Sequence, residues 1–269
     1  MKYLKTAIEA ARLAGRVHKK YFGRGNIGLK SKTSSYDLLT KADTEAEKAA
    51  VGLIKNKFPD HNFLCEENSY RGTDSQYCWV IDPLDGTNNF ACGLPIFCSS
   101  VALARNNDLL AGAIYDVTRD ELFYAAKGKG AFLNGKRIHV NRARSLKESL
   151  IITGFYYSRG KEMVETLETI KRLHYEKILG IRRLGAAALD LAYVAAGRAA
   201  AFWEFELSPW DYCAGKLIVE EAGGRVTGKS GNGISLKKKN FIVATNSLMH
   251  RRLIKVIKNV HIRPFSFKK

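Results

Sequence analysis

The spacing of apolar and polar residues changes from a helical period to a strand period and back along this chain of 269 residues. Residues 2–22 place apolar side chains at every third or fourth position, which predicts a helix with one buried face. Residues 98–140 indicate antiparallel β structure, with turns at 106–108 and 134–135. The same periods predict further strands at 62–65, 79–81, 150–153, 199–205 and 241–244, and further helices at 44–57, 161–174, 186–196, 212–222 and 247–258. Their irregular alternation predicts layered sheets and helices and argues against a simple doubly wound sheet.

The composition is that of an ordinary globular protein, with 46 % hydrophobic and 26 % charged residues. No apolar run is long enough to cross a membrane, and residues 1–22 carry charges throughout and lack a secretory signal. The length and the lack of repeats or linkers predict one domain of two closely joined lobes over residues 1–259, followed by a basic tail at 260–269. We therefore expect a cytoplasmic protein with no membrane partner.

The five cysteines, at positions 65, 78, 92, 98 and 213, form no Cys-x-x-Cys pair and have no zinc-like spacing with the six histidines. An odd number of thiols in a cytoplasmic chain favours reduced and mostly buried side chains. The sequence gives little support to a redox or thiol-based function.

The net charge of +18 is concentrated at the two ends of the chain. Residues 225–269 contain twelve Lys or Arg and no acidic residue, and residues 2–32 contain nine Lys or Arg against one Glu. Such a field attracts anionic substrates and, without sequence preference, nucleic acid. Scattered lysines more often form a solvated surface, so nucleic-acid binding is possible but is not the favoured interpretation.

Two carboxylates, Asp82 and Asp85, stand where the apolar strand beginning at Trp79 meets a break at Pro83 and Gly86. Carboxylates at a strand end supply the hard oxygen ligands that Mg²⁺ prefers. The glycine lets the backbone approach a ligand, and the N–H groups after it could hold a phosphate. Asp-Pro and Asp-Gly pairs are also common turn formers, so this segment alone leaves both interpretations open.

Four motifs in this order resemble the signature of the inositol monophosphatase family. They are Asp37-Leu-Leu-Thr-Lys-Ala-Asp43, Glu66-Glu67, Asp82-Pro-Leu-Asp-Gly-Thr87, and Trp210-Asp211 followed by Ala222-Gly223-Gly224. The resemblance extends from the first helix to Asn246. It implies an α+β fold, the layered αβαβα sandwich of the sugar phosphatases, and a Mg²⁺-dependent, lithium-sensitive phosphatase.

The resemblance also implies two or three Mg²⁺ ions per subunit. The implied ligands are Glu66, Glu67, Asp82, Leu84, Asp85 and Asp211. Glu66, Asp82 and the Leu84 carbonyl would bind a first ion. Asp82 would bridge to a second ion, which Asp85 and Asp211 would also bind. Glu67 would support these ligands or bind a third ion.

The catalytic residues implied by the resemblance are Asp37, Thr87 and Glu66, where Asp37 and Thr87 together orient and deprotonate the attacking water. The backbone N–H groups of Gly86 and Thr87 would hold the phosphate. The positions implied to contact or adjoin the polyol are Arg183, Gly185, Ala187, Glu204 and Asp211. Many members of the family have Gly where this chain has Cys65, which could crowd the site or expose a thiol near the metals.

The implied reaction is hydrolysis of inositol monophosphate or a similar polyol monoester by a homodimer. Two alternatives stay open. One is a fructose-1,6-bisphosphatase of the same fold, because some prokaryotic members accept both substrates. The other is a basic, nucleic-acid-associated regulator on this fold, although an unused cluster of carboxylates would be costly to keep together.

Overall fold

The computed structural model describes residues 1–24, 28, 30–31, 38–68, 74–155, 160–236, 238–258 and 260. The helices in these ranges are α1 (Lys2–Tyr21), α2 (Lys41–Lys57), α3 (Thr87–Ala91), α4 (Lys161–Tyr175), α5 (Ala187–Ala195), α6 (Pro209–Glu221) and α7 (His250–Lys258). The strands are β1 (Lys30–Ser31), β2 (Leu38–Leu39), β3 (Asn62–Cys65), β4 (Tyr77–Asp85), β5 (Cys98–Arg105), β6 (Asp108–Asp116), β7 (Glu121–Ala126), β8 (Ala131–Leu133), β9 (Lys136–Ile138), β10 (Leu150–Thr153), β11 (Gly180–Arg182), β12 (Ala201–Leu207), β13 (Arg225–Thr227) and β14 (Asn240–Thr245). Most of the predicted tail, 261–269, lies outside the described residues.

Two sheets form the framework. The larger one has seven strands in the order β3-β4-β5-β6-β7-β8-β9, antiparallel except for the parallel pair β3 and β4. The smaller one has five strands in the order β11-β10-β12-β14-β13, in which β10 is parallel to both of its neighbours. The antiparallel meander predicted for 98–140 is confirmed in strands β5 to β9.

The helices and sheets alternate in five layers. Helices α1 and α2 pack on one face of the larger sheet, and α5 and α6 lie between the two sheets. Apolar residues of α4 and α7 cover the outer face of the smaller sheet. The predicted α+β fold, an αβαβα sandwich, is therefore confirmed.

Helix α1 packs closely against the larger sheet because its buried face is built of small residues. Ala7, Ala11 and Ala14 are fully buried, and a Cβ at Gly15 would lie 2.4 Å from the Tyr115 ring. This approach brings His18, near the end of α1, to the C-terminal part of the central strand β4. Its Nε2 lies 2.7 Å from the carbonyl oxygen of Pro83.

Helix α2 begins earlier than the sequence predicts. The expected start at Thr44 was wrong, because Thr40 is the N-cap and its hydroxyl accepts from the N–H of Ala42 at 3.1 Å. Asp43 completes this capping box by accepting from the Thr40 N–H at 2.7 Å. The segments 40–43 and 44–47 both fit the capping-box pattern. Strand β2 ends at Leu39, directly before the first segment, so the helix begins there.

Among the described residues, no helix is both long and apolar enough to cross a membrane.

Candidate active site

The central strand β4 continues through Pro83, where a break was predicted. Its pairing with β5 shifts register between Asp82 and Asp85 and resumes with Asp85 opposite Cys98. An irregularity of this kind changes the direction in which side chains point. The Leu84 N–H donates to an Asp82 carboxylate oxygen at 3.0 Å. Asp82 and Asp85 consequently line the same cavity.

Asp85 is held by the first turn of α5. The N–H groups of Ala187 and Ala188 donate to its two carboxylate oxygens at 3.1 and 2.7 Å. The N-terminus of a helix favours negative charge, so this contact fixes the orientation of the carboxylate. It also ties the larger sheet to the middle layer. The N–H of Ala187 is therefore engaged by Asp85, although the residue lies in the cavity wall as predicted.

Asp211 occupies the third position of α6. The helix begins at Pro209, three residues before the predicted start, and Ser208 is its N-cap. One Asp211 carboxylate oxygen accepts from the Ser208 N–H at 2.7 Å. An N-cap position for Asp211, the usual interpretation of a lone Asp before a helix, is thereby excluded.

A cavity of about 370 Å³ joins these elements. Its wall includes eleven of the predicted site residues: Glu66, Asp82, Leu84, Asp85, Gly86, Thr87, Arg183, Gly185, Ala187, Glu204 and Asp211. Glu67 is not in this wall, and it donates its backbone N–H to Glu47 Oε2 at 2.9 Å. The remaining predicted site residue, Asp37, lies outside the described residues.

The carboxylates in the cavity raise each other's pKa. Burial is the main cause for Asp82, whose pKa lies well above its usual value, and the charges of Glu66, Asp85 and Asp211 add to it. Burial likewise raises the pKa of Asp85 to about 6 and that of Asp211 well above its ordinary value. A group of buried carboxylates with this mutual repulsion favours a bound cation.

The donor set suits Mg²⁺, which takes oxygen ligands and commonly keeps water and substrate oxygens in its shell. Across the described residues, no three Asp, Glu, His or Cys side chains converge closely enough to enclose an ion by themselves. The carboxylates surround an open cavity instead. Water and substrate oxygens would complete the coordination of an ion bound here.

The Thr87 hydroxyl has a carboxylate partner, but the structure shows Asp43 in that position. Thr87 Oγ1 lies 2.9 Å from Asp43 Oδ1 and 3.0 Å from the Leu84 carbonyl oxygen. Asp43 is fully buried, and this burial raises its pKa to about 6, against the opposing effect of its hydrogen bonds from Thr40. The sequence prediction chose Asp37, at the other end of the same motif, as the partner of Thr87.

Glu204 and Arg183 also line the cavity. Burial raises the pKa of Glu204 to about 8, and the nearby Arg183 guanidinium opposes this rise. Gly154 lies beside it, and a Cβ there would lie 1.9 Å from Glu204 Oε2, so a larger residue would displace this carboxylate. Gly185 has a φ of +85°, and a Cβ on it would meet the Arg183 guanidinium at 2.6 Å.

Comparison with known proteins matches the chain as a whole to one family. The sequence profile of the inositol monophosphatase family matches residues 1–261. The chain belongs to the inositol monophosphatase family.

Relatives within the family align over nearly the full length. The inositol-1-monophosphatase of Mesorhizobium japonicum is 39 % identical over 256 residues, 95 % of this chain and 96 % of the relative. The Nus factor SuhB of Pseudomonas aeruginosa is 39 % identical over 265 residues, 97 % of each chain. The fructose-1,6-bisphosphatase/inositol-1-monophosphatase of Thermotoga maritima is 38 % identical over 260 residues, again 97 % of each chain.

Solved structures of the family share the fold. The extragenic suppressor protein suhB of Bartonella henselae superposes with a TM-score of 0.91 at 40 % identity, covering 96 % of this chain and 99 % of that one. An IMPase/NADP phosphatase in complex with Mg²⁺ and phosphate superposes with a TM-score of 0.77 at 25 % identity, covering 86 % of each chain.

Several residues of this family member line the cavity without having been predicted from the sequence: Asn88, Gly154, Phe155, Glu206, Leu207, Ser208, Trp210 and Lys239. Most of them are next to a predicted site residue in the sequence, and this adjacency is the signal by which they could have been found. Asp43 carried a clearer signal, since it ends the quoted motif and completes the Thr40 capping box.

Cys65 does not line the cavity. It is 1 % exposed at the end of β3, and burial raises the pKa of its thiol. The expected crowding or exposure of a thiol at the site is therefore not observed. Cys98 lies nearer, with its Sγ 3.6 Å from an Asp85 carboxylate oxygen.

Proposed function

We propose that this protein hydrolyses a phosphate monoester, most directly myo-inositol monophosphate to inositol and phosphate, with Mg²⁺ as cofactor. The observation that carries the proposal is that one cavity is lined by four acidic residues and Thr87 together with Glu204 and Arg183. With Mg²⁺ held by the acidic residues, this cavity would suit a phosphate monoester of a polyol, which presents an anionic phosphate and neutral hydroxyls.

The carboxylates of Glu66, Asp82, Asp85 and Asp211, with the Leu84 carbonyl, would hold two or three Mg²⁺ ions. When bound, these ions would activate water and neutralise the charge that develops on the phosphate and the leaving oxygen. Glu67 does not line the cavity, and it would support the metal ligands through the hydrogen bond between its backbone N–H and Glu47.

Thr87 would orient the attacking water. Its hydroxyl donates to Asp43, so an Oγ1 lone pair is left to accept a hydrogen bond from the water. The water proton would pass to Thr87 Oγ1 while the Thr87 proton passes to Asp43. With a pKa of about 6, Asp43 is a base suited to accept a proton near neutral pH.

The substrate would be held at both of its ends. The backbone N–H groups of Gly86 and Thr87 would bind the phosphate, because they stand at the start of α3 and both residues line the cavity. Glu204 would accept hydrogen bonds from the polyol hydroxyls or donate one to them. The guanidinium of Arg183, next to Gly185, would attract the Glu204 carboxylate. Arg183 would also form the boundary of the part of the cavity that binds the polyol.

A fructose-1,6-bisphosphatase activity is the alternative within the same chemistry. The Thermotoga relative bears both names. Arg183 and Lys239 supply cationic side chains to the cavity wall, where a second phosphate could be neutralised.

A phosphate-release screen tests both proposals. Inositol monophosphates, fructose 1,6-bisphosphate, other sugar phosphates and an aryl phosphate would be compared with Mg²⁺ and with excess chelator. Asp82→Asn should be folded and nearly inactive, whereas Asp108→Asn, which changes an exposed carboxylate paired with Lys127, should match the native protein. Full turnover in excess chelator would refute the metal-dependent mechanism.

A second candidate function of another class is association with nucleic acid. The observation in its favour is a groove of about 640 Å³ between α4 and α7, lined by Arg172, Tyr175, Glu176, Arg251, Arg252, Lys255 and Val256. We call this surface the basic groove. It does not compete with the phosphatase proposal, because it lies outside the catalytic cavity.

Our main proposal includes a cytoplasmic homodimer. Light scattering would test whether the protein is a dimer in solution.

A further inference from the structure

Glu206 adopts a backbone conformation that its residue type disfavours. Its φ is +52°, in the left-handed region, where L side chains other than Asn and Asp cost energy. Among the described residues, six positions other than glycine have a positive φ. Three of these are Asn or Asp in turns, and Ser247 and Lys177 lie away from the cavity wall. Glu206 alone among the six lines the cavity.

The strain at Glu206 is imposed by its neighbours on β12. The register with β14 shifts between Glu204 and Leu207, so β12 carries one extra residue there. Phe205 packs edge-to-face on Phe241 with ring centroids 4.5 Å apart, and Leu207 is 6 % exposed in the core. Because both adjacent side chains are anchored, the backbone at Glu206 cannot relax to a β conformation.

Glu206 lines the cavity and is exposed, which places the residue at the open rim. Glu204, two residues earlier, reaches the buried polyol side, whereas Glu206 is exposed. Arg183 and Lys239 also line the wall. Within the described part of the chain, no ion pair joins Glu206 to a basic side chain. Because Glu206 lines the cavity, its negative charge would act on whatever occupies it.

We propose that Glu206 determines substrate specificity by placing a carboxylate at the cavity rim, where it accepts hydrogen bonds from polyol hydroxyls and repels a second phosphate. The site would thus select monophosphates of neutral polyols over bisphosphates. Strained backbone that the surrounding structure keeps in place is concentrated at functional sites, and a glycine here would fit without strain. This inference rests on the proposed phosphatase function and deepens it.

Two substitutions separate the charge from the backbone. Glu206→Gly removes both the carboxylate and the strain, and Glu206→Gln removes the charge alone. Each should raise kcat/KM for fructose 1,6-bisphosphate relative to inositol monophosphate by about tenfold, the size expected for one partly screened like charge. Only Glu206→Gly should also raise the Tm, by about 2–4 °C.

Lys177→Gly is the matched control. Lys177 is also exposed, with a φ of +58°, but it follows α4 and lies outside the cavity wall. This variant should show a similar rise in Tm with an unchanged substrate ratio. An unchanged ratio in both Glu206 variants would overturn the inference, as would an equal change in the Lys177 variant.

The outcome for Glu206 can be told apart from that of the phosphatase proposal. A native protein that hydrolyses no ester in the presence of Mg²⁺ would overturn the proposed function and this inference with it. A native protein that is active, with a substrate ratio insensitive to residue 206, would overturn only the inference.

Discussion

The hydroxyl of Thr87 lies 2.9 Å from a carboxylate oxygen of Asp43, which precedes it by 44 positions in the chain. Asp43 also caps α2 through Thr40, so its orientation is fixed from two sides. A hydroxyl that donates to a carboxylate keeps its lone pairs to accept a hydrogen bond from water. The pair joins the first turn of α2 to the first residue of α3.

Thr87→Ala and Asp43→Asn should each lower kcat by a factor of at least about a hundred, and the double variant should be little worse than either single one. Residues that act as a unit give non-additive losses. Losses that multiply in the double variant would show that the two residues do not share a water. Because Asp43 also caps α2, the Tm of each variant must be measured alongside its kinetics.

Asp37→Asn is the informative comparison for this pair. The sequence prediction would make it as damaging as Asp43→Asn, whereas the contact of Asp43 with Thr87 leads us to expect a clearly smaller loss. Equal losses at both positions would mean that Asp37 also serves the reaction.

The ambiguity between these two acids shows what a single sequence can and cannot specify. One motif contains both Asp37 and Asp43, and only the packing of α2 against the central strand brings Asp43 to Thr87. Local signals were sufficient where the partners are near in sequence. The antiparallel meander over 98–140 was predicted, because tight turns containing Asn or Gly separate its strands.

Other elements depended on tertiary contacts. Strands β11 and β13 were missed because three residues are too few to show a period. Their extended conformation depends on the strands with which they pair. Strand β4 passes through Pro83 because β5 resumes pairing at Asp85, a long-range effect that overrides the local break. The position of the carboxylates was predictable from their motifs, whereas the residues of the rim, Glu206 and Lys239 among them, were not.

The contact between Gly154 and Glu204 predicts a selective loss of polyol binding. Gly154→Ala should displace the Glu204 carboxylate, because the added Cβ would lie 1.9 Å from Oε2. Glu204→Gln should likewise weaken binding of inositol monophosphate. Both variants should raise KM for the inositol ester and leave hydrolysis of an aryl phosphate nearly unchanged, measured by phosphate release. Equal losses on both substrates would assign Glu204 a structural role.

His18 predicts a pH dependence of stability. It is fully buried, and burial lowers its pKa to about 4 from the usual 6.5. Between these values the unfolded chain binds the proton and the folded protein does not, so stability falls as the pH drops from 6.5 to 4 and is unaffected above 6.5. The shift corresponds to roughly 3 kcal/mol.

His18→Gln keeps a donor for the Pro83 carbonyl and removes this titration. The variant should be less stable than the native protein at pH 8, and the difference in unfolding free energy should shrink toward pH 4. Urea denaturation of both proteins at pH 8, 6 and 4.5 measures it, and the comparison cancels the titration of the carboxylates. A difference that is constant with pH would contradict the assignment.

The basic groove predicts where any nucleic-acid binding would lie. Of its four cationic side chains, Arg252 is paired with Glu176 at 2.9 Å. No ion pair involves Arg172, Arg251 or Lys255 among the described residues. Tyr175 is 77 % exposed beside them and offers a ring on which an unpaired base could stack. The apolar face of α7 is buried on the smaller sheet, which leaves only its cationic face for a partner.

Arg251→Glu combined with Lys255→Glu should therefore abolish binding of single-stranded RNA and leave phosphatase kinetics unchanged. Lys129→Glu with Lys136→Glu makes the same change of charge on exposed residues near the β8–β9 hairpin and should retain binding. With about four phosphate contacts, native affinity should fall roughly 50-fold between 50 and 200 mM salt in gel-shift titrations. Truncation after Asn259 should change neither RNA affinity nor phosphatase activity. Binding lost on truncation, or lost equally in both charge-reversed variants, would show that general charge or the tail is responsible and not the groove.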